Sequence, residues 1–200
     1  MLSNQEQIEY WNERAGETWA ELQDRLDALL APLSAAGLAA ANVRSGERVL
    51  DVGCGCGDTS IALNAMGANV LGVDVSGPML ARARSRDASI EYHQADAATT
   101  DFDHEFDLVF SRFGVMFFDD PRAAFKNLCS ALKPGGRLLF VCWQPPAANP
   151  WMATAGRAIA PYLPPSDEAP DPRAPGPFAF ADARYVEQIL QDAGFSNIQI

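Results

Sequence analysis

Between Arg48 and Trp143 the chain alternates between short apolar runs and helical patterns, and that alternation limits the fold more than any other feature. Arg48–Val52 is a β-type run leading through Asp51 into a glycine cluster, Gly53, Gly55 and Gly57. Asp58 or Thr59 can cap a helix reaching about Met66, and Gly67 ends it. Val70–Val75 reads as a second strand, and Ser76 caps a helix with Pro78 in its first turn that runs to about Ser85. Ser89–Gln94 and Asp107–Ser111 read as the third and fourth strands. Asp120–Pro121 starts a helix with Phe125, Leu128 and Leu132 as its buried stripe. Lys133–Gly136 is a turn, and Arg137–Trp143 is a fifth strand. Strands with continuous apolar centres that alternate with helices predict an α/β fold, a mostly parallel sheet with helices on both faces.

The flanks read differently. Residues 13–33 carry Ala15, Trp19, Leu22, Leu26, Leu29, Leu30 and Leu33 on one helical face, and Pro32 and Gly37 are expected to break that helix. The stretch 144–181 holds ten of the chain's 14 prolines, with a short helix expected over Trp151–Tyr162. Asp182 caps a last helix using Tyr185, Val186, Ile189 and Leu190, closed by Gly194, and Phe195–Ile200 is expected to begin a sixth strand. The expected organisation is an N-terminal helical lid over 1–45, a core over 46–143, a proline-rich lid insertion over 144–181, and the core's last helix and strand over 182–200.

Composition excludes some partners. The net charge is −11, with 26 acidic residues against 15 Lys and Arg, so phosphate backbones and anionic lipid repel the chain on average. Ala28–Ala41 is too short and too interrupted to span a membrane. Met1–Glu9 is polar and lacks the pattern of a secretion signal. Cys54, Cys56, Cys129 and Cys142 form no disulfide framework, which points to a cytoplasmic protein with reduced thiols.

The chemistry centres on Asp51-Val52-Gly53-Cys54-Gly55-Cys56-Gly57. A glycine turn from strand to helix lets backbone approach a ligand at the carboxyl edge of the sheet, although alone it is any tight turn. Dinucleotide sites there use G-x-G-x-x-G. This chain has G-x-G-x-G with Asp51 two residues ahead, and a carboxylate there repels pyrophosphate but attracts an ammonium group. Asp74, at the end of the second strand, can accept both hydroxyls of a ribose, and Asp96, after the third, can take the exocyclic amine of adenine. Met79 packs on the adenine face or in the helix core. His93 and His104 read as structural or solvated, and the C-x-C pair lacks the partner ligands of a zinc site, so no metal is expected.

Together the pieces DVGCGCG, GVDVS, QADA, FDLVFSRF and LKPGGRLLFV, in order over residues 48–143, resemble the class I S-adenosylmethionine-dependent methyltransferases. YWNERAGETW and the Trp151 segment resemble the small-molecule branch akin to the ubiquinone and menaquinone methylases. The resemblance implies a doubly wound, Rossmann-like sheet of order 3-2-1-4-5-7-6, with no sequence left here for strand seven, as if the chain were a shortened form of a longer one. It also implies S-adenosyl-L-methionine as cofactor, S-adenosyl-L-homocysteine as product, and a cofactor-binding set of Trp19, Asp51, Gly53, Cys54, Gly55, Asp74, Val75, Met79, Asp96, Ala97 and Ser111. Trp11 and Arg14 would help close the lid or hold the cofactor's carboxylate.

The expected reaction is an in-line displacement in which the protein aligns nucleophile, carbon and sulfur and excludes water, with Phe113, Phe117, Phe118 and the N-terminal tryptophans as candidate aromatic faces for the sulfonium. The Asp- or Asn-Pro-Pro-aromatic motif of amino-methylating DNA enzymes is absent after the fourth strand, where Ser111-Arg112-Phe113-Gly114 stands. With the acidic charge, that favours a small-molecule acceptor. The alternatives are a binding or scaffold protein of the same fold without turnover, and a nucleotide-dependent oxidoreductase.

Overall fold

A computed structural model describes residues 4–159, 162 and 171–200. Three helices open the chain: α1 (Gln5–Asn12), α2 (Arg14–Glu21) and α3 (Gln23–Ala41). Then come β1 (Arg48–Val52), α4 (Asp58–Ala65), β2 (Asn69–Asp74), α5 (Gly77–Arg86), β3 (Glu91–Gln94), β4 (Phe106–Arg112), α6 (Pro121–Ala131), β5 (Leu132–Val141), α7 (Pro150–Ile159) and α8 (Ala183–Asp192). The strands form one all-parallel sheet in the order β3-β2-β1-β4-β5. This is the expected doubly wound architecture.

The sheet buries both faces by strand alternation. On one side Leu50, Val52 and Val109 meet Phe125 and Leu128 of α6 and Ile189 of α8. On the other, Val49, Leu108 and Phe110 meet Leu63 of α4, Leu80 and Ala83 of α5, and Ala41 of α3. Caps hold the helix starts: Ser76 Oγ accepts from the Met79 amide, Asp120 from Ala123, and Asp182 from Arg184 and Tyr185.

Four expectations are corrected. The first concerns α3, which runs through Pro32 and Gly37 to Ala41 and ends at Asn42 in the left-handed region. Gly37 does not stop this helix. It lets α3 lie on the sheet, since a Cβ there would stand 2.8 Å from Val141 Cγ2. Second, Lys133–Gly136 lies inside β5, as a bulge that takes the β4 register from Phe106↔Leu132 to Leu108↔Arg137. Third, neither Asp58 nor Thr59 caps α4: Gly57 holds that position, Asp58 pairs with Arg112, and the Thr59 hydroxyl donates to Asp51. Fourth, Phe195–Ile200 forms no strand, because no neighbouring strand offers it a ladder of hydrogen bonds. Residues 160 and 161, just before the expected helix end at Tyr162, and 163–170 of the proline-rich stretch lie outside the described residues. Among the described residues, no helix is long and apolar enough to cross a membrane.

Candidate active site

The glycine turn after β1 is built by backbone conformation. Gly53, Gly55 and Gly57 have φ of +67°, +55° and +83°, a region that side chains resist. The amides of Gly53 and Cys54 both donate to Val73 O, at 2.8 and 3.2 Å, which binds the turn to β2. The turn also crosses the segment after β4 at very close range. A Cβ on Gly53 would lie 2.6 Å from Gly114 Cα, and one on Gly114 would lie 2.6 Å from Val52 O. The residue just before that crossing, Phe113, takes φ +64°, which is strained for an aromatic residue.

Three carboxylates surround the turn. Asp51 is fully buried: its Oδ2 accepts from Thr59 Oγ1 at 2.7 Å and Ser60 Oγ at 2.6 Å, and its Oδ1 has no hydrogen-bond partner. Burial pushes its carboxyl up to about 6, against the opposing pull of the two hydroxyls. Asp74 Oδ2 accepts from the Gly55 amide and Oδ1 from the Ser76 amide, both at 2.8 Å. Burial raises its pKa as well, with those bonds working the other way. Asp96 Oδ1 accepts from the Ala98 amide at 2.9 Å and from Asn4 Nδ2 at 3.5 Å.

The N-terminal helices are stitched to this edge. Asn12 Nδ2 donates to Val75 O at 2.8 Å while Asn12 Oδ1 accepts from the Gly77 amide at 3.0 Å. Ser76 Oγ donates to Trp11 O at 2.7 Å, and Gly16 packs so tightly there that a Cβ would stand 2.6 Å from that hydroxyl oxygen. Trp11 meets Trp19 and Phe117 edge-on at 5.8 and 5.2 Å. On the opposite side Phe113 stacks on Trp143 at 4.4 Å and 9°, and Trp143 meets Trp151.

These walls enclose a cavity of about 350 Å³ at the carboxyl edge of the sheet. Of the expected residues, Trp19, Gly53, Cys54, Gly55, Asp74, Val75, Met79, Asp96 and Ala97 line it. Asp51 and Ser111 stand behind the wall, both fully buried. Arg14 does not reach the cavity, but lies on a separate outer groove with Tyr10 and Leu22. His93 pairs with Glu91 at 2.8 Å on the exposed side of β3, and His104 is exposed. Burial pushes Cys54 well above its ordinary range and Cys56 up to about 12, so neither thiol is poised to react.

Sequence reasoning missed Asn4, Gln23, Arg112 and Gly114, all on the cavity wall. Asn4 Oδ1 and Gln23 Oε1 are buried acceptors without partners. With Asp51 Oδ1 they suit a ligand that brings its own N–H and O–H donors. Gly114 carried a sequence signal, as the one small residue within Arg112–Phe118. Gln23 and Arg112 carried none.

Comparisons with known proteins agree with this geometry. Residues 50–140 match the family model described as "Methyltransferase domain". An uncharacterized protein of Mycobacterium tuberculosis is 38% identical over 120 residues, covering 58% of this chain and 44% of that one. The demethylmenaquinone methyltransferase of Clavibacter sepedonicus is 41% identical over 99 residues, covering 48% and 40%. Among solved structures, phosphoethanolamine N-methyltransferase 2 of Haemonchus contortus with S-adenosyl-L-methionine aligns with a TM-score of 0.62 at 26% identity, covering 84% of this chain and 37% of that one. The chain thus spans less than half the length of these relatives.

Proposed function

We propose that this chain, whose residues 50–140 match the family model for a methyltransferase domain, is a class I S-adenosylmethionine-dependent enzyme that moves a methyl group from S-adenosylmethionine to a small, largely apolar acceptor. One observation carries the reading. Asp74 and Asp96, at the ends of neighbouring strands, share a cavity with the glycine turn at one end and an aromatic wall at the other.

The residues divide the cavity. Asp74 takes the ribose hydroxyls, and Asp96 with the backbone of Ala97 reads the adenine edge, with Val75 and Met79 against the ring. Asp51, Gly53, Gly55 and the Ser111 carbonyl hold the methionine end, where the unpartnered Asp51 Oδ1 suits an ammonium. When bound, the cofactor supplies an activated methyl on a sulfonium, so the chain needs no covalent nucleophile. Its work is to align the acceptor and keep water out.

The acceptor half is lined by Leu26, Leu29 and Leu30 of α3 and by Phe113, Trp143 and Trp151. On the described wall the cation is Arg112, already paired with Asp58 at 2.7 Å. A phosphomonoester acceptor would find little there to offset its charge, so an apolar molecule with one nucleophilic atom fits better. The helices α1, α2 and α3, with Trp151 and Met152 of α7, act as the lid over it. The net charge of −11 sets the site against nucleic acid and suits a cytoplasmic enzyme acting on a free small molecule.

Calorimetric titration with S-adenosylhomocysteine is the first test, followed by methyl transfer from labelled S-adenosylmethionine to a panel of apolar acceptors. Tight binding with transfer to one acceptor class is expected. Binding of NAD in place of S-adenosylhomocysteine would overturn the reading. Tight binding with no transfer to any acceptor would leave a protein of this fold that binds without turnover.

A further inference from the structure

Helix α3 carries two apolar stripes, and the fold of one chain uses only the first. Gln23, Leu30, Ser34, Gly37 and Ala41 are buried on the sheet side, with Gly37 close against Val141 and Phe110. About a quarter turn around the helix, from Leu22 just ahead of α3, runs the second: Leu22, Leu26, Leu29, Leu33, Ala36 and Ala40. Its steps are 4, 3, 4, 3 and 4 residues, the spacing of a seam between two helices that cross at a shallow angle. This stripe faces outward. Leu22 is 40% exposed and Leu29 59%, Ala36 and Ala40 are exposed, and Leu26 and Leu33 are half-buried. Exposed Tyr10 extends the patch along the outer groove that Leu22 and Leu26 also line.

Charge and shape together single out an occupant. The chain holds no charged residue between Asp27 and Arg44. The charges of α3 stand near its start, as Asp24, Arg25 and Asp27, and both acids are already paired, with Arg82 at 3.6 Å and Arg86 at 3.0 Å. The face therefore suits an uncharged apolar helix of the same spacing, and α3 itself is one. Two copies of α3 run antiparallel about Ala31 set Leu22 against the partner's Ala40, Leu26 against the partner's Ala36, and Leu29 against the partner's Leu33. Large side chains meet small ones toward both ends, so the helices can approach closely along their whole length. The charged start of each copy then lies along the uncharged half of the other. A parallel pair would instead bring the charged starts of two negative chains together.

We propose that the outer stripe of α3 is a two-fold interface between two copies of this chain, paired antiparallel about Ala31. The pairing completes the cavity: Leu26 and Leu29 line its acceptor half, and the partner's Leu33, set on Leu29, closes that wall. The interface does not depend on what the cavity binds. At 19 residues α3 is about 28 Å long. A single helix pair of that length covers less than the roughly 1,200 Å² of a standard interface, so the dimer is weak, with Kd of about 10–100 μM.

Sedimentation equilibrium over about 5–500 μM protein tests the proposal. The mass of the wild-type chain should rise from 21.6 kDa toward twice that value. Added salt should strengthen the association, because it screens the charge of −11 on each chain and leaves apolar contacts in place. Leu29→Glu and Leu33→Lys should each weaken it by about 100-fold or more, since each buries a charge without a partner. Mixing the two variants should bring it back to within about tenfold of wild type, because only antiparallel pairing sets position 29 of one chain against position 33 of the other. Ala40→Glu changes an exposed residue away from the cavity and should weaken association by about tenfold, so it tests the stripe even where a leucine variant fails to fold. A wild-type mass of 21.6 kDa throughout, association that falls with salt, indifference to Ala40→Glu, or two folded leucine variants that do not rescue one another would each overturn the interface.

Discussion

The crossing of two backbones at Gly53 and Gly114 yields the sharpest stability prediction. Gly114 has an ordinary right-handed conformation, φ −82°, so alanine there meets no backbone strain. Its cost is spatial: the new methyl would stand 2.6 Å from Val52 O and 2.8 Å from Gly53 Cα. Both are main-chain atoms, and Gly53 is held by its bond to Val73 O, so no side chain can swing away. Gly135 is the mirror case, with φ +80° and nothing within 4 Å of its would-be Cβ. Alanine at Gly135 should cost about 1 kcal/mol, from left-handed strain alone. Alanine at Gly114 should cost about 3 kcal/mol or more, the upper range for overpacking. In a domain of this size that lowers the melting temperature by about 6–12 °C, against about 2–4 °C for Gly135→Ala. Thermal and urea unfolding of the two variants give the comparison. Gly114→Ala should also lose S-adenosylhomocysteine binding, because the displaced turn is the cofactor wall, and Gly135→Ala should keep it. A Gly114→Ala protein as stable as Gly135→Ala would refute the reasoning.

Four further outcomes are expected. Asp74→Ala, which loses bonds from Gly55 and Ser76 as well as those we propose to ribose, should weaken S-adenosylhomocysteine by about 1–3 kcal/mol; unchanged calorimetric affinity in a folded variant would remove the ribose assignment. Asp51, raised to about 6 in the folded chain against about 3.9 unfolded, holds its proton more tightly when folded, so stability falls as pH rises between those values and stays lower above them. The full loss is about 3 kcal/mol, and Asp51→Asn should abolish it in urea titrations at pH 4.5 and 7.5. Binding of an ammonium beside Asp51 favours its ionised form, so S-adenosylhomocysteine affinity should rise with pH up to about 6 and then level off. Trp143→Ala, which loses the stack on Phe113, should raise KM for the methyl acceptor several-fold while leaving cofactor affinity unchanged, as steady-state kinetics and calorimetry would show.

Sequence patterning located this fold well where spacing alone decides it. The strand ends at Asp74 and Gln94 and the caps at Ser76, Asp120 and Asp182 all follow from period and cap chemistry. It failed where a residue's role depends on a neighbour distant in the chain. Gly37 carries a helix-stop signal, yet its reason for being glycine is Val141 pressing from β5. Asp58 has the chemistry of a cap but spends its carboxylate on Arg112, 54 positions away. The site divides in the same way. The placement of Asp74 and Asp96 on the cavity was legible because each follows directly from a strand and its loop, whereas Asp51 lies behind the wall. Arg112 and Asn12 were not, because what they do is set by partners on other elements. Arg14 looked suitable for a carboxylate until α2 turned it toward the outer groove.

The bonds of Asn12 make the N-terminal helices part of how ligands come and go. Its side-chain amide pairs with Val75 O and the Gly77 amide much as a neighbouring strand would, and Trp11 O accepts from Ser76 Oγ, the residue between those two. Swinging α1 and α2 away breaks all three contacts together. The Gln94 Nε2 bond to Asn12 Oδ1, the Asn4 bond to Asp96 and the edge contact of Trp11 with Phe117 would go with them. Since Val75 also lines the cavity, the bonds that seat the N-terminal helices fix one side of the site as well.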